Sequence, residues 1–463
     1  MRPRGPAALI AALVAAILVV GCTGRPGAPD PDAGPLVMWT IEDKADRIAA
    51  QQAMLDEFTA STGVPTELVP IAEDQLTTAL TSAAAANDLP DLIGALPLAN
   101  VLSFAGDDVL DTDATQEVID DLEVGTFDQN ALALTQLDGR QLAVPSDSFP
   151  LLLFYRTDLF DQAGLAPPTD FASIRKAAET LHGEGYTGIA AATTANEQFT
   201  AQTIEHFALA DGCDLVDDSG DVALGSPACV ETFDYLSSLI RDTSVDGEQD
   251  TNTTRASYFS GRAGMVVWSS FLLDELAGLR SDALPTCDEC AEDPQWLAKN
   301  TGAVAALQGP SADRPGGYGE VVSFAILRDS HSRTPDLVRF MMDDRYEDWI
   351  GLAPEGKVPT RLGTAQDPTR FQDAWRDMES GVDEKARLSD IYSPEVIDEV
   401  AGAPNRIVRW GVSQGQGQLE GAMTSQRVLP AILSDALTSG AGGDDISDEA
   451  VSQAEQLQAG FGD

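Results

Sequence analysis

The stretch "PLVMWTIEDKADRIAAQQAMLDEFTASTGVPTELVPI" (35–71) decides the fold. Its opening "PLVMW" (35–39) is a short apolar strand. The next segment puts Ala45, Ile48, Leu55 and Phe58 on one helical face and stops at Gly63. "VPTELVPI" reads as a second strand, "EDQLTTALTSAAAAN" (73–87) as a second helix and "DLIGAL" (91–96) as a third strand. The order β-α-β-α-β calls for a parallel sheet with right-handed crossovers. Ligands of such sheets bind outside the carboxyl ends of the strands. The loops of interest are therefore "WTIEDK" (39–44), "AED" (72–74) and "PLAN" (97–100).

Working outward, "GRQLAVPSDSFPLLLFYRTDLFDQAG" (139–164) turns from polar to apolar and opens a second α/β run. "TDFASIRKAAETLHGEG" (169–185) reads as a helix capped by Thr169, "YTGIAAAT" (186–193) as a strand and "FTAQTIEHFALADG" (199–212) as a helix. "YFSGRAGMVVWSSFLLDEL" (258–276) is a strand with flanking helices, "EVVSFAIL" (320–327) a strand, and "TPDLVRFMMDDRYEDWIGLA" (334–353) one helix. The remainder reads as mostly helical until the Gly-rich "TSGAGGDD" (438–445). No repeat of solenoid length is visible, so a multi-lobed α/β protein is expected.

At the other end, Arg2 and Arg4 precede an apolar run from Ala7 to Val20, the layout of an export signal. The run is shorter than the roughly 20 residues of a comfortable membrane span. "VVGC" resembles the lipobox of bacterial lipoproteins. That resemblance implies a signal peptide over 1–21, a lipid on the Cys22 sulfur and a chain held at the outer face of the cytoplasmic membrane. Residues 22–35, "CTGRPGAPDPDAGP", are too rich in Pro and Gly to fold and read as a disordered tether.

Export makes the other four cysteines disulfide candidates. Cys213, Cys229, Cys287 and Cys290 allow three pairings, of which the two local ones are expected. The acidic Asp288 and Glu289 inside "CDEC" would disfavour a thiolate beside them, which argues against a reactive thiolate. With three histidines and no second CxxC, no zinc site is expected. A net charge of −47, from 75 acidic and 28 basic residues, excludes non-specific binding to nucleic acid phosphates. Acidic side chains in such excess read as a solvated surface, beside which the chain has only five lysines.

"GVSQG" (411–415) matches the nucleophile elbow of α/β-hydrolases, but that fold places its histidine after the serine. His182, His206 and His331 all precede Ser413, so no catalytic residue is assigned there. No local motif singles out a carboxylate pair for glycoside hydrolysis, and no cofactor or metal is called for.

Taken in order, these pieces resemble the extracellular solute-binding proteins of ABC importers, in particular the family that contains maltose-binding protein. The resemblance runs from about residue 36 to the end. "GRQLAVPSDSFPLLLFYRTDLFDQAGLAPPTDF" is similar to the family's lobe-crossing strand and Y-N-x-D-L-F…G…P-P-T. "FSGRAGMVVW" is similar to F-x-x-G-x-A-A-M-x-x, and "FMMDDRYEDWIGLAPEGKVPTRLG" to the helix and loop that close the first lobe. Arg156 and Thr157 depart from the commoner Asn-Lys.

The resemblance implies a two-lobed periplasmic-binding-protein-like fold of type II. Lobe 1 would be 36–145 with 320–362, and lobe 2 146–319 with 363–463. It also implies a small-molecule solute, a sugar, held in the cleft between lobes joined by two or three hinge segments. A monomer working with an ABC permease completes the expectation. Carried over by position, the ligand-binding candidates are Trp39, Glu42, Asp43 and Lys44, then Asp147 and Ser148, Asn196 and Gln198, Trp268, and Trp410 with Gln414. Asp43 also suits a cap of the following helix, and Thr194 or Asn196 a cap of theirs. Pro97, Leu98, Ala99 and Asn100 stand where sugar receptors often have charged or aromatic contacts, which counts against a long maltodextrin-like ligand. A second cargo class is a polyamine or other cation, held by Asp43, Glu73, Asp74 and Asp147.

Overall fold

In the computed structural model, which describes residues 31–72, 75–106, 108–412 and 414–461, the opening stretch forms two parallel strands around a helix. The expected signal peptide, Cys22, Glu73, Asp74 and Ser413 lie outside the described residues. Asp32, inside the expected tether, accepts from the backbone N–H and hydroxyl of Ser332 at 2.8 Å each, so the chain is already fastened there.

Among the described residues nine strands build one sheet: β1 Leu36–Thr40, β2 Thr66–Pro70, β3 Leu92–Pro97, β4 Val144–Arg156, β5 Thr187–Ala190, β6 Ala263–Ser269, β7 Thr301–Val304, β8 Gly319–Ile326 and β9 Val358–Pro359. The order is β2-β1-β3-β8-β4-β6-β5, with β7 and β9 also pairing β4. β1 is parallel to β2 and β3. The sheet is nevertheless mixed, because β8 comes from far along the chain and inserts antiparallel between β3 and β4. Its residues are all buried, so an apolar run of that kind fits only a central position.

β4 is the strand on which the architecture turns. Its first half, 144–150, pairs with β8, and 151–155 pair with β6. Pro145 and Pro150 lack ladder donors, and the register slips between Val322 and Ser323, leaving Ser146 opposite no partner. One strand thus serves both halves of the molecule.

Helix Ala45–Thr62 ends as expected on Gly63, whose φ of 77° closes the turn. Its N-cap position falls on Lys44 with no side-chain cap, so Asp43 does not serve that role. The helix Phe171–Gly183 is capped by Asp170, not Thr169, because Asp170 and Ser173 form a reciprocal capping box. The single helix expected at 334–353 is two, Thr334–Met342 and Tyr346–Ile350, broken where Arg345 swings out to an ion pair with Glu57. Beyond the Gly-rich segment the chain returns to helix, Gly443–Gly460.

One core packs Leu151, Leu153, Phe207, Leu236, Met265 and Val267 behind the second half of the sheet. A second packs Leu76, Ile93, Leu96, Val101 and Phe104 beside the first half. The largest runs from Met38, Phe58, Phe324 and Trp349 across to Leu272, Leu273 and Val400. Cys213 pairs with Cys229 and Cys287 with Cys290, the two local bridges. Among the described residues no helix is long and apolar enough to cross a membrane.

Candidate functional site

The register fixes where the strand ends meet. β3 closes at Pro97 opposite Val322, which lies opposite Asp147, while β6 closes at Ser269 opposite Leu151. β1 and β5 run parallel to these two. The carboxyl ends of both halves therefore arrive at residues 147–151, in the middle of β4. The loops 41–44, 191–197 and 270–271 converge on that boundary, where an α/β sheet binds ligands and where two lobes leave a crevice; the loop expected at 97–100 is instead the end of β3 and the first turn of the helix Leu98–Gly106.

On the first side the bulge at Ser146 turns Asp147 inward. The Ser146 hydroxyl donates to the Asp147 carboxylate at 2.7 Å and the Trp349 indole N–H donates to it at 2.8 Å. Lys357 Nζ lies 3.3 Å from Asp147 Oδ2 and 2.7 Å from Glu42 Oε1, above the Trp349 ring. Arg47 closes the chain of charges on Glu42 Oε2 at 2.6 Å. Burial works against the Glu42 carboxylate, but Lys357 and Arg47 outweigh it and bring its pKa from 4.5 to about 2. For Lys357 burial likewise favours the neutral amine, and Asp147 with Glu42 reverses this, holding the ammonium charged. The network ties the loop after β1 to β4 and to the start of β9.

On the second side the surface is aromatic. Trp268 is only 6% exposed, because Phe199 lies on it with ring centroids 4.5 Å apart. Phe271 meets Phe149 edge-on at 5.4 Å. Phe149, Phe199 and Phe271 are half-buried, so they carry the open aromatic area of this region.

The residues singled out by resemblance divide into two groups. Asp43, Lys44 and Asn196 are exposed, and Trp39 and Glu42 half-buried. Asp147, Ser148, Trp268 and Trp410 are buried. The resemblance puts Asp147 against ligand; the geometry gives it to Lys357, Trp349 and Ser146. Trp410 donates its indole N–H to Cys213 O at 2.6 Å. Gln198 opens the helix Gln198–Asp211 and accepts from Arg427 at 2.6 Å. Neither Thr194 nor Asn196 caps that helix. Gln414 is half-buried in the loop between Val412 and Gly415.

Residue-by-residue reading missed Lys357, Arg47 and the three phenylalanines. The available signal for Lys357 was scarcity, since a chain with five lysines places one of them in its interior. Among the described residues, no three His, Cys, Asp or Glu side chains converge to hold a metal ion.

Residues 53–373 match the family of bacterial extracellular solute-binding proteins. The chain belongs to that family. This solute-binding protein is 23% identical over 325 residues, 68% of its length and 69% of the relative's, to the putative ABC transporter periplasmic-binding protein YcjN of Escherichia coli K12. Among solved structures it is similar to the sugar-binding protein MalE of Xanthomonas citri, with a TM-score of 0.69 at 16% identity, covering 92% of this chain and 98% of that one. It is also similar to maltose-bound MalE3 of T. maritima, with a TM-score of 0.65 at 19% identity, covering 92% and 100%. At these identities the structural likeness is one of fold.

Proposed function

We propose that this solute-binding protein serves an ABC importer, capturing a carbohydrate between two lobes that close on it and delivering it to a membrane permease without chemical change. The lobes are 36–145 with 320–362 and 146–319 with 363–463, sharing β4. The protein works as a monomer, tethered by a lipid on Cys22 to the outer face of the membrane. The observation that carries the reading is the convergence of strand ends on β4, with half-buried phenylalanines on one side and the exposed Asp43 and Lys44 on the other. Aromatic rings cover the apolar faces of a sugar, and carboxylate and ammonium groups meet its hydroxyls. The name of the E. coli relative supports the importer class, and those of the two MalE structures a sugar as cargo.

A cationic cargo is less well supported. Of the four carboxylates expected to hold it, Asp147 is already neutralised by Lys357, Asp43 is exposed, and Glu73 and Asp74 lie outside the described residues. A thermal-shift screen of mono- and disaccharides, polyols and polyamines tests the choice, because a ligand at 100 times Kd stabilises by about 2.7 kcal/mol. A shift with spermidine and with no saccharide overturns the carbohydrate reading. Cys22→Ala should move the protein from the membrane fraction to the medium, and retention at the membrane refutes the lipid tether.

A further inference from the structure

The glycines of "GVSQGQG" (411–417), which mimic a nucleophile elbow in sequence, have a different task in the fold. Gly411 and Gly415 have φ of 65° and 71°, a left-handed backbone that glycine adopts without strain. Gln416 N–H donates back to Gly411 O at 2.8 Å and Gly415 N–H to Val412 O at 3.1 Å, making a tight loop. The loop pushes Val412, 5% exposed, into the core that holds Leu76, Leu98, Leu102 and Phe104 of the first half. Gly415 sits opposite Leu137 of the same half.

Gly417 then opens the helix Gly417–Ser425, whose Leu419 and Met423 belong to the core of the second half. A Cβ on Gly417 would stand 2.8 Å from Leu102 Cβ, so only glycine lets this helix lie against Leu98–Gly106. Gln418 reaches Gly106 from the same helix.

Charge fixes this contact from behind. Arg409 is buried with its guanidinium 2.8 Å from Glu320 and 3.0 Å from Glu420, over the Tyr318 ring. Glu320 in turn accepts the backbone N–H of Leu98 at 2.8 Å, one of the free donors that a helix N-terminus turns outward. The cavity left behind the helix, bounded by Glu205, Trp410 and Glu420, is only about 10 Å³, room for a single water.

From these contacts we infer that residues 408–412 and 414–425 form a wall that closes the crevice at its 97–106 end, so that only a short saccharide fits between the lobes. Gly417 and Val412 are the residues that set the limit. This rests on the carbohydrate reading for the identity of the cargo, but not for the wall itself. The first free donor of the helix Leu98–Gly106 is here taken by the protein's own Glu320, and the apolar side of that helix by Val412.

The test compares the wild type with Gly417→Leu, with Val412→Ser, which leaves the helix alone, and with Gly421→Leu. A Cβ at Gly421, on the same helix, meets nothing within 4 Å, which makes it the control. Each is titrated with glucose, maltose, maltotriose and maltohexaose and measured by small-angle scattering. The wild type and Gly421→Leu should bind the one- and two-ring sugars at least tenfold more tightly than the six-ring sugar. Gly417→Leu and Val412→Ser should bring that ratio to threefold or less and enlarge the radius of gyration. Equal affinity of the wild type for short and long sugars, or wall variants with the wild-type ratio and radius, overturns the wall. If no saccharide binds any variant, the carbohydrate reading fails by itself. The scattering then decides the wall: a larger radius in both wall variants supports it, and an unchanged radius overturns it.

Discussion

Replacing Lys357 by Met keeps the length of the side chain and removes the ammonium that stands between Glu42 and Asp147. Asp147, 1% exposed, then retains the Ser146 hydroxyl and the Trp349 indole N–H but has no countercharge. Breaking a buried pair by deleting one partner costs about 3–5 kcal/mol. Glu42 gives an independent estimate. Its pKa of about 2 in place of 4.5 corresponds to about 3 kcal/mol at neutral pH, each tenfold in proton affinity being about 1.4 kcal/mol. The two figures describe overlapping interactions, and Arg47 preserves part of the second, so the expected loss at pH 7 is about 3–5 kcal/mol. Because the folded-state pKa of Glu42 is depressed, its contribution is complete above 4.5 and disappears as the pH falls toward about 2. Urea unfolding followed by tryptophan fluorescence at pH 7, 5 and 3 reads both effects. Lys357→Met should unfold at lower urea at pH 7 and lose less than the wild type between pH 5 and 3. Adding Asp147→Leu should restore part of the loss. A change below about 1 kcal/mol at pH 7, or an acid profile parallel to the wild type, would refute the account of the buried network.

Phe271→Ala should weaken binding of whichever sugar the screen identifies by about tenfold while leaving the urea midpoint nearly unchanged. Trp268→Ala, in contrast, opens a buried site and should cost about 3–5 kcal/mol of stability; calorimetry and unfolding on the two variants separate the roles. Reduction with dithiothreitol should destabilise by about 3 kcal/mol, most of it from Cys213–Cys229, whose loop is the longer. Cys287→Ser with Cys290→Ser should therefore change the midpoint far less than Cys213→Ser with Cys229→Ser. Glu205 is buried beside Glu420 and Glu320 with one arginine among them, and burial followed by the Glu420 charge raises its pKa. A carboxyl raised from 4.5 to about 8 loses stability as the pH climbs from the lower value through the higher, so Glu205→Gln should flatten the fall of the unfolding midpoint between about pH 4.5 and 8. An identical slope in both proteins would discard that assignment.

Periodicity carried much of the fold, because it is a local property. The strand–helix–strand order of 36–97 and the helix stop at Gly63 follow from neighbours in sequence. The insertion of β8 between β3 and β4, and the break of the helix near Arg345, depend on partners far away in the chain. The same division holds at the crevice. The loops at the strand ends were legible from the sheet pattern. That Asp147 points into the protein was not, since it follows from a bulge and from a lysine 210 residues later. Nor did the glycine spacing of 411–417 reveal its use, because close approach of Leu102 is a property of two helices rather than of either.

The shared strand also dictates an order of assembly. The partners of residues 151–156 in the second half, β6 and β7, with β5 beside β6, are complete by Val304, in uninterrupted sequence. The first half cannot finish its sheet until β8 has been made and slipped between two strands that wait for it, one of them more than 220 residues upstream. Loop closure over such a span grows only with the logarithm of its length, yet it must follow the inner unit, which by then forms the bridge of its own loop. A chain made from its N-terminus would thus emerge with its first third unfinished, and the last piece of one lobe would be delivered by a lobe already folded.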